Sequence, residues 1–289
     1  MGGELPAMAR RGRRRLTRGM TILVLGATGK SGRRVVQRLR ARGVEVRAGS
    51  RSAQTRFDWQ DRGTWADAVQ GVSAVYLVAP EETEVIEPFV SQAVAAGTGR
   101  FVVLSGRGLD QAAGTFGAGM AEAERAVRAS GVDWTIVRAN NFSQNFTEDL
   151  WAAPIEAGRL ALPMAEVGEP FVDLEDLADL MAVLLTADGH AGRIYDASGP
   201  DALTFAEAAA VISRVAGRPI EYVEISPAQY AEELRAERYP DEAVQSLNAM
   251  FALMRAGHLA TPADGVEQVL GRKPTPFTAY AERAFRGQG

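Results

Sequence analysis

The chain has 289 residues, of which 46% are hydrophobic and 24% are charged, with a net charge of −4 and no cysteine. This composition is typical of a globular protein with a sizeable core, and it excludes a disulfide framework and thiol chemistry. No apolar run approaches the roughly 18 residues of a membrane-spanning helix, so we expect a cytoplasmic protein with no membrane partner.

The first 19 residues carry six arginines and one acid, Glu4. Such an arm can bind nucleic acid or an anionic surface, but it lacks the apolar core of a secretion signal. Met20 stands directly before the first predicted strand, so we interpret residues 1–19 as a disordered basic tail. Because the rest of the chain is acidic, we expect no nucleic acid partner.

The next segment joins an apolar strand, residues 22–25, to a glycine-rich turn and a helix expected over residues 33–42. Backbone N–H groups at a helix start can bind an anion, and glycine lets phosphates approach the chain closely. A glycine turn of another α/β protein is the alternative. The context favours a pyrophosphate site formed by Gly26, Thr28, Gly29, Lys30, Ser31 and Gly32.

Strands and helices then alternate. Strands are predicted at residues 44–49, 74–78, 100–104 and 133–137, and helices at 64–70, 83–96 and 117–130. Strands separated by helices form parallel sheets with right-handed crossovers. We therefore predict an α/β fold, with a doubly wound Rossmann domain over residues 20–150.

After residue 140 this alternation loosens. Helices are predicted at residues 174–186, 204–217 and 227–257, the last interrupted near Pro240, and strands at 193–197 and 220–225. Thr204 and Glu207 have the spacing of a capping box. We predict a smaller C-terminal α+β substrate lobe over residues 151–289, intertwined with the Rossmann core, and a cleft between the two.

The end of the second strand indicates which dinucleotide fits. An NAD site usually has an acid there for the ribose 2′-hydroxyl, whereas this chain has Ser50 and Arg51. Arg51 can form a bidentate pair with a 2′-phosphate, and this role favours NADP(H) as the cofactor. The alternative is that Arg51 is a solvated surface residue. Asp58 could accept from the adenine amino group or close a turn. The cofactor ribose is expected beside Val78, Ala79 and Pro80.

Several of these segments together resemble one family. The glycine turn, Arg51, Asp58 and residues 134–138 and 141–146 resemble the NmrA-like, atypical short-chain dehydrogenase/reductases, over about residues 21–285. The chain is most similar to the branch with NADPH quinone oxidoreductases and alkaloid iminium reductases. The resemblance implies a pyrophosphate site at Gly26, Thr28, Gly29, Ser31 and Gly32, a 2′-phosphate site at Ser50 and Arg51, and a nicotinamide or substrate pocket bordered by Phe142 and Asn145.

The chain departs from its relatives at the proton donor. Ordinary short-chain enzymes use a tyrosine with a lysine four residues later, but neither lysine here, Lys30 or Lys273, has that spacing. Met120 stands where some relatives have lysine or histidine, and Arg138-Ala139 replaces the usual Arg-Pro. We therefore expect hydride transfer to an electron-poor acceptor such as a quinone, enone or imine.

Hydrogen-bond donors to the developing anion are expected at Ser105, Asn141 and Asn145. Alternatively, Ser105 caps a helix or turn, and the two asparagines hydrogen-bond to the backbone of their own loop. A pocket for a flat substrate is predicted from Met120, Phe142, Phe146, Trp151, Met164 and Phe171. Alternatively, these residues belong to the hydrophobic core.

Other polar residues are expected to be structural. His190 and His258 have no neighbours at metal-ligand spacing, so we expect no metal. Glu124 and Arg128 are expected to pair on a solvated helix face.

The sequence thus predicts an NADPH-dependent reductase of a small cyclic or electron-poor organic substrate, working as a monomer or homodimer. Two alternatives stay open: a non-catalytic regulator that senses NADP, and a redox-neutral cyclase or isomerase.

Overall fold

The computed structural model describes residues 19–112, 114 and 116–287. Except for Gly19, the predicted basic tail lies outside the described residues. None of the described helices is long and apolar enough to cross a membrane.

Nine strands are present in the described chain. They are β1 (Thr21–Leu25), β2 (Glu45–Ser50), β3 (Thr55–Arg56), β4 (Ala74–Val78), β5 (Arg100–Gly106), β6 (Asp133–Ala139), β7 (Arg159–Leu162), β8 (Arg193–Ala197) and β9 (Glu221–Glu224). Seven form a parallel sheet in the order β3-β2-β1-β4-β5-β6-β8. The chain reverses its direction of growth between β1 and β4, the position where such sheets open a crevice for ligands. The predicted doubly wound α/β fold is confirmed.

The described part of the chain also contains twelve α-helices. They are α1 (Lys30–Ala41), α2 (Trp65–Val69), α3 (Ile86–Ala95), α4 (Ala118–Ala129), α5 (Asn145–Glu148), α6 (Ala152–Glu156), α7 (Leu174–Thr186), α8 (Phe205–Ala216), α9 (Pro227–Ala236), α10 (Asp241–Arg255), α11 (Gly265–Leu270) and α12 (Phe277–Phe285). The predicted capping box at Thr204 and Glu207 is present at the start of α8.

Helices cover both faces of the main sheet because its strands are apolar on both sides. In β1, Ile22 and Val24 pack in one cluster with α1 and α7, while Leu23 and Leu25 pack on the opposite face with α2 and α3. The edge strand β8 and the covering helix α7 both follow residue 150. The chain therefore leaves the sheet after β6, builds part of the lobe, and then returns to the sheet.

Ion pairs join α1 to α7. Arg34 Nε donates to Glu175 at 2.8 Å, and Arg38 Nε donates to Asp179 at 2.7 Å. These contacts fix the returning helix against the first helix of the fold, so α7 belongs to the sheet layers rather than to the lobe.

The lobe contains the two-stranded parallel sheet of β7 and β9 and an aromatic core. Phe146 contacts Trp151 and Phe171, with ring centroids 4.8 and 5.2 Å apart. Phe205 and Phe277 close the same cluster. The core of the lobe is therefore a cluster of rings that meet in tilted and edge-to-face arrangements.

Candidate functional site

The glycine turn between β1 and α1 forms a cradle whose backbone requires glycine at Gly26 and Gly32. Gly26 has a φ of +61°, and a Cβ on Gly32 would lie 2.1 Å from the carbonyl oxygen of Gly26. No side chain caps α1, whose N-cap residue is Gly29. Its first N–H groups therefore have no side-chain acceptor and suit an anionic oxygen.

A cavity of about 480 Å³ runs from this cradle to the end of β2. The hydroxyl of Ser50 is buried there without a hydrogen-bond partner. Arg51 is exposed and forms no ion pair within the described residues. An unpartnered hydroxyl and a free guanidinium fit a phosphate on the ribose. The lining also includes Thr28, Asp58, Trp59, Val78, Ala79 and Pro80.

Asp58 closes a turn, because its Oδ1 accepts from the backbone N–H of Gln60 at 3.1 Å. Its side chain still borders the cavity. The turn role expected as one alternative is thus present, and the second carboxylate oxygen has no hydrogen bond to a described residue.

A second cavity, of about 290 Å³, continues the first along the carboxyl edge of the sheet. The two share Val78 and Ala79, so they form one cleft. Its apolar wall comes from the β5–α4 region, the segment after β6, and α10 with the loop that follows it. These residues are Leu104, Phe116, Met120, Phe142, Met250, Leu253, Met254 and Leu259.

Four predicted pocket residues lie elsewhere. Phe146, Trp151, Met164 and Phe171 are each no more than 1% exposed and belong to the aromatic core of the lobe. The rings of Phe146, Trp151 and Phe171 pack against one another, and Met164 belongs to the same cluster. Of the predicted set, Met120 and Phe142 line the second cavity, and the other four do not.

Ser105 lines the cavity, but its hydroxyl donates to Glu124 Oε1 at 2.7 Å. Glu124 also accepts from Arg138 Nε at 2.8 Å and from Arg128 at 2.8 Å. The expected Glu124–Arg128 pair is present, but the expected solvated face is wrong for Glu124, which is only 5% exposed. Bonding to Glu124 raises the pKa of Arg138. Because a carboxylate only accepts, the Ser105 hydroxyl donates its hydrogen to Glu124 and does not offer it to a ligand in the cavity.

Asn141 and its neighbour Asn140 hold a buried acid. The Asn141 backbone N–H and Nδ2 donate to Glu169 Oε1 at 2.9 and 3.2 Å, and Asn140 Nδ2 donates at 3.0 Å. Burial raises the pKa of Glu169. The predicted donor Asn141 therefore acts as a bracket for another side chain of the cavity.

Asn145 begins α5, where its Oδ1 accepts from Lys30 Nζ at 2.7 Å. Lys30 also pairs with Asp149 and lies 5.6 Å from the centre of the Phe142 ring. Its ammonium therefore links the glycine turn to the segment after β6. The Asn145 Nδ2 donates to no described residue, which leaves it available to a ligand in the cavity.

Sequence reasoning missed the acid and the helix that complete the cavity. Glu169, Asn140 and Arg107 carry no motif, and α10 reaches the sheet edge only through the tertiary fold. No group of three or more His, Cys, Asp or Glu side chains within the described residues could hold a metal ion.

The sequence pattern of the NmrA-like family matches residues 19–282. A (4-alkanoyl-5-oxo-2,5-dihydrofuran-3-yl)methyl phosphate reductase of Streptomyces griseus is 34% identical, covering 90% of this chain and 96% of its own. An NAD(P)H azoreductase of Xenophilus azovorans is 30% identical, with the same coverages.

Solved structures share the fold. An NADPH-dependent quinone oxidoreductase of Escherichia coli, in complex with NADPH, superposes with a TM-score of 0.75 at 22% identity, covering 92% of this chain and all of that one. NmrA, a negative transcriptional regulator in complex with NADP, gives 0.72 at 17% identity, covering 92% of this chain and 95% of its own.

Proposed function

The chain belongs to the NmrA-like family, and from this membership we propose that it is an NADPH-dependent reductase of a small, apolar, electron-poor organic compound. The observation that carries the proposal is the single cleft at the switch point of the sheet. One end has the chemistry for a phosphorylated ribose, and the other is an apolar cavity of a size for one small ring system. When bound, NADPH supplies a hydride.

The residues of the cradle fit this cofactor. Gly26 and Gly29 form a tight turn, and Gly32 lets α1 begin against the carbonyl group of Gly26. The uncapped start of α1 offers N–H donors to a pyrophosphate. Ser50 and Arg51 would hold the 2′-phosphate, and the end of β2 carries no acid that would prefer a free ribose hydroxyl. Thr28, Lys30 and Ser31 complete the turn, and residues 78–80 would lie beside the nicotinamide ribose.

The apolar cavity would orient a flat acceptor for hydride transfer. Met120 and Phe142 form part of its lining, and the free Asn145 Nδ2 could donate to an anionic oxygen or nitrogen. Holding two reactants in register lowers a barrier by as much as about 7–11 kcal/mol, so an activated acceptor needs little further help. The reductases among the relatives support this class of reaction.

A non-catalytic sensor of NADP is the second candidate, because the proton of Ser105 is committed to Glu124 and no tyrosine–lysine pair is present in the sequence. NmrA, which shares the fold, is described as a negative transcriptional regulator and was solved in complex with NADP.

Oxidation of NADPH, followed by its absorbance with neutral quinones, enones, azo compounds and cationic dyes, separates the candidates. The reductase predicts turnover with at least one acceptor class and slower turnover with NADH. Tight NADPH binding with inertness towards every acceptor would refute the reductase and support the sensor.

A further inference from the structure

Glu169 sits in the wall of the apolar cavity and is unlike every other acid there. It precedes α7, is 1% exposed, and pairs through its backbone with Leu203 at 2.8 and 3.1 Å. Glu81, the other acid of the lining, is exposed. Two backbone hydrogen bonds therefore fix a buried carboxyl group beside the space for the substrate.

The side-chain hydrogen bonds of Glu169 are all accepted by one oxygen. Three N–H groups of Asn140 and Asn141 reach Oε1, whereas Oε2 has no hydrogen bond to a described residue. A carboxylic acid in this arrangement keeps its O–H at Oε2, since N–H donors occupy the other oxygen. One oxygen is therefore held in place and the other is available to a ligand.

No cation among the described residues contacts this carboxyl group. Arg107 is the charged neighbour, and its Nη1 donates to Asn140 Oδ1 at 2.6 Å rather than to Glu169. Arg107 is itself offset by Asp196, 3.8 Å away. Glu124, by contrast, accepts from two arginines. A buried carboxyl group without a direct counter-ion favours its neutral, protonated form.

On the basis of the proposed function, we propose that Glu169 is the catalytic acid that protonates the reduced substrate. A neutral acceptor takes a hydride from reduced nicotinamide at carbon, and its π electrons move to the conjugated oxygen or nitrogen. That atom takes the proton from Glu169 Oε2, which leaves a carboxylate that recovers a proton from water. The products are oxidised nicotinamide and the neutral reduced compound. Asn140 and Asn141 are positioning residues for this step.

The proposal distinguishes two kinds of acceptor. A quinone or enone is neutral, so the hydride leaves an anion that needs a proton. A triphenylmethane cation becomes neutral when it accepts the hydride, so it needs none. Substitution of the acid should therefore slow the first reaction selectively, which loss of folding or of cofactor binding would not do.

The test compares wild type, Glu169→Gln and Glu166→Gln with one acceptor of each kind. The amide introduced by Glu169→Gln would keep the oxygen that Asn140 and Asn141 contact, and Glu166 is an exposed acid three residues earlier. We expect Glu169→Gln to lower kcat for the quinone about 100-fold or more, the range of general acid catalysis, and to change kcat for the cation less than about threefold. Glu166→Gln should change neither.

A second readout does not use turnover. The infrared spectrum of wild type minus Glu169→Gln at neutral pH should contain the C=O stretch of a protonated carboxyl group, because Glu169 is buried and no described cation contacts its carboxyl group. The same burial raises the pKa of Glu169. As pH rises through that pKa, wild-type quinone reduction should fall while reduction of the cation stays level. Arg107, Asp196 and Glu81 are the charged groups nearby, and all three are present in both assays.

Four results overturn the inference. Equal losses with both acceptors would make Glu169 structural. A selective loss with the cation would make it a counter-charge for a positive substrate. An ionised carboxylate in the infrared spectrum would mean that Glu169 has no proton to give. A wild type that reduces only the cation would mean that the enzyme has no step that needs an acid. A wild type that binds NADPH and reduces nothing would instead refute the proposed function itself.

Discussion

Truncating Glu124 to alanine should destabilise the protein strongly, although this residue lies on a helix that reads as amphipathic and solvated. The carboxylate is 6% exposed and accepts two hydrogen bonds from Arg138, whose side chain is 16% exposed. Removing one partner of a buried pair leaves the other charge without compensation, which costs about 3–5 kcal/mol.

The structure favours the lower end of that range. Arg138 would keep Asp110, 2.8 Å from Nη1, and Arg128 would turn to solvent, since its side chain is 42% exposed. We therefore expect a loss of about 3 kcal/mol in the free energy of unfolding, and a fall in Tm of about 5 °C for a chain of this length. Urea denaturation and calorimetry measure the two quantities.

The same helix provides the control. Glu122 bonds Arg125 at 2.6 Å, as close as the buried contacts, but the arginine is 60% exposed. An exposed pair contributes little because water screens it, so Glu122→Ala should leave the unfolding free energy nearly unchanged. If Glu122→Ala and Glu124→Ala lowered Tm equally, burial of the network would not be its source of strength, and the reasoning would fail.

Three further predictions concern the cleft and the sheet edge. Gly32→Ala places a Cβ 2.1 Å from a backbone carbonyl oxygen, so it should cost about 1–3 kcal/mol of stability and abolish NADPH binding by calorimetry. Gly99→Ala, with its nearest atom at 3.9 Å, should do neither. Arg51→Ala should weaken NADPH binding about tenfold or more without affecting NADH, whereas Arg56→Ala, whose side chain pairs with an acid, should preserve the ratio; equal effects would argue against a 2′-phosphate contact. Burial, with nearby arginines, lowers the pKa of His190 below 6.5. The unfolded chain therefore binds more protons below that pH, so wild-type stability should fall on acidification more steeply than that of His190→Gln, and parallel curves would contradict this.

The parts of the fold that local pattern determines were predictable. The βαβ order and the glycine cradle follow from apolar runs and glycine spacing, each read within about a dozen residues. Helix 174–186 follows from its own apolar pattern, and Asp173 caps its start. The structure agrees because these elements need no distant partner to define them.

The site was less accessible because its members converge from distant segments. Glu124 has the spacing of an exposed pair, and only the approach of Arg138 from β6 makes it buried. Phe146 and Phe171 look alike in sequence whether they face a ligand or one another. Glu169 precedes a proline in a loop without a sequence pattern. Its side chain is positioned by two asparagines almost thirty residues earlier.

The excursion of the chain between β6 and β8 limits how the two parts could exist separately. A protease cut in the intervening segment would divide the sheet from its own last strand and from the helix α7 that shelters one face. The N-terminal fragment would expose the unpaired backbone edge of β6 and a strip of uncovered apolar residues, which invite aggregation. The N-terminal fragment is thus not expected to fold as an independent domain. A single cleavage between β6 and β8 should not yield stable fragments.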